Sequence, residues 1–201
     1  MKITKIKEDI TTEIAKNFQN SIAIDTEATG LQIPERDKLS LIQICDESGN
    51  VFIIQPNKKT FDAPNLVSIL ENEKILKIGH FLRFDKNALE YFLKCKVKNI
   101  FDTKIASKIV RTYTDTHGLK NLVQEFCNKS IDKRQGSSDW NKDIDDLSDK
   151  QLEYAANDVV YLHKIKIELE KMLIRENRME IFKKCLKFLD TRVELDQKGF
   201  K

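Results

Sequence analysis

Very little in this sequence breaks or staples a chain. Three prolines and six glycines among 201 residues leave little room for a disordered linker, and no repeat, low-complexity tract or composition break marks a second domain. A single domain over residues 1–201 is expected, with a core at about 20–175 and a helical extension at about 176–201. Cys45, Cys95, Cys127 and Cys185 are scattered without a CxxC pair, so neither a zinc ribbon nor a disulfide framework is expected, only buried reduced thiols. No stretch approaches the roughly 18 uncharged apolar residues of a membrane span. The opening MKITKIKEDI is charged where a secretory leader would be apolar. A cytoplasmic protein with no membrane partner is the expectation.

A dominant charge sign is missing as well. The 35 Lys and Arg are nearly matched by 32 Asp and Glu, for a net charge of +3. Proteins that hold long nucleic acid present many cations, because each contacted phosphate wants one. Any grip on nucleic acid is therefore expected to be local, or supplied partly by metal ions. GxSxG, P-loop and GxGxxG signatures are all absent, which removes the commonest esterase, nucleotidase and dinucleotide chemistries.

What is present is a strand-rich first half and a helical second half. SIAID (Ser21–Asp25) reads as a buried central strand ending on a carboxylate. KLSLIQICD (Lys38–Asp46) alternates apolar and polar residues, and VFIIQ (Val51–Gln55) follows a Ser-Gly-Asn turn, predicting an antiparallel hairpin. A helix is expected from Pro64 to about Glu71 and a strand over Lys74–Gly79. Helical spacing then dominates in Asp85–Leu93, Lys104–Arg111, Leu119–Cys127, Asp149–Ile174 and Arg178 to about Leu189. Strands first, then strands alternating with helices, indicate an α/β fold: a mixed β-sheet flanked by α-helices, with a C-terminal helical tail.

Five residues stand out for chemistry. Asp25 and Glu27 are two apart on a strand, so both carboxylates face one side. Adjacent carboxylates repel unless a cation lies between them, and oxygen-only ligands favour a hard ion such as Mg²⁺ or Mn²⁺. Asp85 follows the strand ending in Gly79-His80, and could equally cap the next helix. Tyr154 and Asp158 lie four apart in a helical stretch and share one face. Each signal is weak alone, since solvated strand ends and exposed Tyr/Asp pairs are common. Together they describe acids that converge on two divalent metal ions, the arrangement that stabilises both oxygens of a phosphodiester displacement. Tyr154, whose ordinary pKa of about 10 makes it a poor base, is read as orienting the attacking water.

DTEATGL (Asp25–Leu31), HFLRFD (His80–Asp85) and YAAND (Tyr154–Asp158) resemble, in order and spacing, the three motifs of the DEDD 3′–5′ exonucleases, in the Tyr-containing branch that includes ribonuclease D. The resemblance implies a ribonuclease H-like fold over roughly residues 20 to 175. It also implies that Asp25, Glu27, Asp85 and Asp158 bind metal and that Tyr154 positions water. Phe81 departs from the family pattern, where many relatives carry Asn. KIASKIVRTYTDTHGLKNL (Lys104–Leu122), GSSDW (Gly136–Trp140) and MLIRE (Met172–Glu176) further resemble the nano-RNase C family of short ribonuclease D-like enzymes. That likeness implies a metal-dependent exoribonuclease acting on short RNA, dinucleotides above all, and a homo-octamer.

By the same resemblance Leu31 wedges against the bases, and Thr26, His80 and Phe84 lie near the terminal nucleotide. Arg111 and Tyr113 are implied to grip a terminal phosphate. Few residues follow Asp158, so the additional helical domains of full-length ribonuclease D are not expected. A broader ribonuclease D-like or DNA exonuclease stays open, as does an inactive exonuclease fold kept for binding. Retention of all four acids and the tyrosine argues against the latter.

Overall fold

Alternation along the strands sorts apolar side chains onto two sides of one sheet. On β2 (Ser21–Ala28), Ile22 and Ile24 join one core while Ala23 joins the other. On β3 (Leu39–Cys45), Leu39, Ile42 and Ile44 go with the former and Leu41 and Cys45 with the latter. Every residue of β3 is buried, as expected of a strand covered on both faces. The computed structural model describes residues 2–132, 136 and 138–200; of the GSSDW segment, Ser137 lies outside the described residues.

The sheet has six strands in the order β1-β4-β3-β2-β5-β6. β4 (Asn50–Gln55), β3 and β2 form an antiparallel meander. β1 (Lys2–Lys7) joins β4 in parallel, and β5 (Leu76–Gly79) and β6 (Ile100–Asp102) continue in parallel from β2. The mixed sheet and its flanking helices are those expected. Helices α1 (Thr12–Asn17), α2 (Pro64–Glu71) and α3 (Arg83–Leu93) cover one face. α4 (Thr103–Val110), α5 (Leu119–Cys127), α6 (Asp149–Asn157) and α7 (Leu162–Arg175) cover the other. α8 (Met179–Gln197) runs past the β6 edge, burying Phe182 in one core and Leu189 and Val193 in the other. It thereby covers a sheet edge that would otherwise offer unpaired backbone.

The structure differs from the sequence reading at four places. The sheet reaches back to Lys2 rather than starting near residue 20, because β1 is a half-exposed edge strand whose lysines mask its alternation. α1 and β6 are too short, at six and three residues, to show a period. The long helix expected over Asp149–Ile174 is two helices, broken between Asn157 and Leu162. α8 continues beyond Leu189 to Gln197.

One buried cation gives the fold a measurable pH dependence. Lys77 on β5 is fully buried and donates to the carbonyls of Asn72 and Ile75, both at 2.7 Å. Burial, with Lys86 and Lys98 nearby, pushes its ammonium down from 10.5 to about 8. Between those values the unfolded chain binds the proton that the folded chain has released. Stability contributed here is therefore lowest below pH 8 and rises as pH climbs toward 10.5. Lys77→Met is expected to flatten that rise in denaturant midpoints measured from pH 7.5 to 10.5; equal slopes in both proteins would refute it.

Candidate metal centre and substrate cleft

The strand period places Asp25 and Glu27 on the α6 face of β2 and Thr26 on the α3 face. A register shift interrupts the β2–β3 ladder immediately after Glu27, a device that commonly re-aims side chains at the end of a strand. α6 is launched by a capping box, with Ser148 and Gln151 exchanging side-chain and backbone bonds. Its buried Ala155 and Ala156 let the helix approach the sheet closely. Asp158 is the C-cap residue but keeps helical torsions, φ −75° and ψ −16°. The one-turn relation between Tyr154 and Asp158 therefore survives the break between α6 and α7.

Carboxylate oxygens of Asp25, Glu27 and Asp158 all lie within 4.8 Å of one another. Asp158 is buried and the other two are half-buried. Such a cluster of like charges is unfavourable without a cation. An all-oxygen donor set fits a hard divalent ion, Mg²⁺ or Mn²⁺, rather than zinc. Tyr154 stands over this group, and its phenol is pushed well above its ordinary value by burial and by the charges of Asp158, Glu27 and Asp25. It therefore stays protonated and can donate a hydrogen bond.

Asp85 is not in that group of three carboxylates. It lies on the first turn of α3, where its Oδ1 accepts a 2.7 Å bond from the Thr26 hydroxyl. Burial pushes its carboxyl up to about 7, and a bound cation would pull it down again. Thr26 thus ties the fourth acid to the tripeptide that carries the first two. His80 is half-buried; its Nδ1 lies 2.9 Å from the Thr103 hydroxyl, which itself donates to the Gly79 carbonyl. Asp102 was missed from sequence. It caps α4 through the N–H groups of Lys104 and Ile105 and also accepts from those of Phe81 and Leu82. Its position directly before a helix is the signal that could have found it.

Beside the acids opens a cavity of about 400 Å³ whose walls include Leu31, Ile33, Phe81, Phe84 and Asn87. Leu31 is 84% exposed. Its loop is pinned by Asp37, which accepts from the Gln32 N–H and pairs with Arg36. A Cβ on Gly30 would lie 2.4 Å from the Asp37 carboxylate, so only glycine fits there. Phe81 sits at φ +67°, a costly torsion for a bulky residue. The two Asp102 bonds offset that cost and leave the ring on the cavity wall with the Lys104 ammonium 4.0 Å from its centroid.

Arg111 does not join this cleft as a phosphate-gripping group. Its side chain is 2% exposed, and its guanidinium donates to Glu125, to Ser107 Oγ and to the Thr116 carbonyl. Tyr113 donates to the same Glu125. Arg111 is spent on holding the α4–α5 connection, which periodicity could not reveal.

A family model described as a 3′–5′ exonuclease matches residues 3–174. The chain belongs to the 3′–5′ exonuclease family. Among curated relatives, DNA polymerase I of Aquifex aeolicus is 34% identical over 169 residues, covering 79% of this chain and 25% of that protein. Ribonuclease D of Haemophilus influenzae is 35% identical over 159 residues, covering 78% of this chain. This chain spans only 38% of that ribonuclease D. Among solved structures, Brucella melitensis NrnC bound to pGG is 44% identical, with a TM-score of 0.92 over 99% of this chain and 95% of that one. The same exonuclease with bound Mg²⁺ gives a TM-score of 0.91 at 44% identity, covering 100% of this chain and 96% of that one. Escherichia coli RNase D, at 24% identity and a TM-score of 0.77, shares the fold. No helix among the described residues is long and apolar enough to cross a membrane.

Proposed function

We propose that this exonuclease-family chain is a metal-dependent 3′–5′ exoribonuclease that finishes short RNA, with dinucleotides as its preferred substrate and nucleoside 5′-monophosphates as products. The observation that carries the reading is the convergence of Asp25, Glu27 and Asp158 within 4.8 Å beneath a protonated Tyr154. Two divalent cations bound there would supply a hydroxide near neutral pH and neutralise charge on the leaving oxygen.

The chain's own residues do the rest. Asp25, Glu27 and Asp158 hold the cations, with Asp85 as the fourth acid, held next to them by Thr26. Tyr154, whose phenol keeps its proton, donates to the attacking water and orients it. His80 sits at the rim, oriented by Thr103, where it can meet the scissile phosphate or the sugar. Leu31, Phe81 and Phe84 offer an apolar wall on which bases can stack, worth about 1–3 kcal/mol per base. The near-balanced charge fits a substrate held at few phosphates. A dinucleotide preference is further supported by the likeness to NrnC, which was solved with pGG. Ile181 and Phe188, exposed on α8 at 56% and 61%, support self-association in a cytoplasmic homo-octamer, whose mass light scattering reads directly.

The deciding experiment is a time course on 5′-labelled RNAs of graded length with Mg²⁺ or Mn²⁺. Rapid conversion of the dinucleotide with slow trimming of longer chains is expected. Equal trimming at every length, or of DNA, would replace this reading with a broader exonuclease; no cleavage would leave a binding module. Leu31→Ala is expected to weaken dinucleotide binding by about tenfold, the equivalent of one lost stacking contact. Binding of longer RNA should fall less, because its other nucleotides keep their contacts. Equal losses would remove the wedge.

A further inference from the structure

Gln43 is the one described residue whose side-chain amide has neither its oxygen nor its nitrogen hydrogen-bonded, although it is completely buried. Buried amides are rarely left so, because each unpaired atom carries its full desolvation cost. The contrast with Gln55 is instructive. On the neighbouring strand and the same sheet face, Gln55 is also buried, yet its oxygen accepts from the Ile144 N–H at 3.0 Å and its nitrogen donates to the Lys142 carbonyl at 2.8 Å. Nothing comparable serves Gln43.

Its place in the sheet says what the amide faces. Gln43 is paired directly opposite Asp25 across the antiparallel β2–β3 ladder. Side chains at such positions lie on the same face with Cβ atoms about 5 Å apart. That face carries Asp25 and Glu27 and is roofed by α6, which brings Tyr154 and, at its end, Asp158. A glutamine amide is long enough to reach the carboxylate of the residue opposite it. On its other strand neighbour, β4, the opposed residue is the apolar Ile53, which offers no polar partner.

We infer that Gln43 is a positioning residue of the metal centre, its amide N–H donating to the Asp25 carboxylate when that carboxylate is drawn onto a divalent cation. The inference rests on the metal-centre reading of Asp25, Glu27 and Asp158. Ligating carboxylates need an outer hydrogen bond to fix which oxygen faces the ion, and loss of such a partner typically costs 10–100-fold in metal affinity. In the metal-free protein the amide is a liability, and in the loaded protein it is used. Stability and metal binding therefore respond to its removal in opposite directions.

Gln43→Met preserves length and approximate volume while deleting both polar atoms. Two quantities are measured on the full chain: the metal-free melting temperature, and Mn²⁺ affinity by titration calorimetry. Gln43→Met is expected to melt a few degrees higher than the wild type without metal, and to bind Mn²⁺ roughly 10–100-fold more weakly. Gln43→Leu provides the same comparison if the methionine variant does not fold. An unchanged Mn²⁺ affinity would overturn the inference and assign the amide to a buried water or a packing role. A lower metal-free melting temperature would overturn it too, by showing the amide already satisfied at rest. Asp25→Asn, titrated alongside, separates this from the larger reading: if it binds Mn²⁺ as tightly as the wild type, the metal centre itself is misassigned.

Discussion

Asp25→Asn is expected to lower the rate of RNA cleavage by about a thousandfold at saturating Mg²⁺ without unfolding the protein. The substitution keeps shape and one carbonyl oxygen but removes a charge from the Asp25, Glu27 and Asp158 cluster. Transition-state stabilisation by catalytic metals is worth several kcal/mol, and about 1.4 kcal/mol corresponds to tenfold in rate. Loss of a ligand that helps place the ion therefore removes on the order of three decades. The same change relieves repulsion among the clustered carboxylates, so the metal-free variant should melt no lower than the wild type. A ligand that binds only the folded state raises the melting temperature; addition of Mn²⁺ should do so for the wild type and much less for the variant. A variant that cleaves at the wild-type rate and is equally stabilised by Mn²⁺ would remove Asp25 from the centre.

The acids were legible because each sits on an element whose period is strong. Asp25 and Glu27 end a buried strand, and Tyr154 and Asp158 fall on one turn of a clean helical pattern. The end of that helix was not legible. Val159, Leu162 and Ile165 are all buried, so the three- and four-residue spacing continues straight through the break. Only the backbone records it, where the N–H groups of Val159 and Leu162 bond three residues back, to Ala156 and Val159. Asp158 therefore becomes a cap residue at a kink, a placement that aims its carboxylate at the sheet.

Arg111 shows the opposite failure. A basic residue after a helix, in a segment resembling a nuclease, invites a phosphate, and nothing local reveals that Glu125 lies across from it on α5. Long-range charge pairing of this kind has no period. Gln43 is intermediate. A glutamine in the otherwise apolar LSLIQIC strand is visible in the sequence, but its opposition to Asp25 is a matter of register, which only the sheet supplies.

The largest expected loss of stability lies outside the metal centre, one turn along α3. Glu90→Ala is expected to lower the melting temperature by roughly 10 °C or more. Lys86 and Glu90 form an ion pair in which each side chain is 3% exposed. Lys86 also donates to the Val97 carbonyl at 2.7 Å and pairs with Asp190 of α8 at 3.1 Å, while Glu90 accepts from the Val97 N–H and from Lys96. The network thus fastens α3 to the segment entering β6 and to α8. Removing one member of a buried pair strands the other charge in a poorly solvated site, at about 3–5 kcal/mol. For a domain of this size each kcal/mol is worth about 2–4 °C. Replacing both members, as Lys86→Met with Glu90→Leu, leaves no orphan charge and should recover most of the loss. Lys86 directly follows Asp85, so the single variant should also loosen the turn that holds the fourth acid and lose activity, while the double variant keeps it. If the double variant melts as low as Glu90→Ala, the cost lies in lost pairing across α3 and α8 rather than in the stranded lysine.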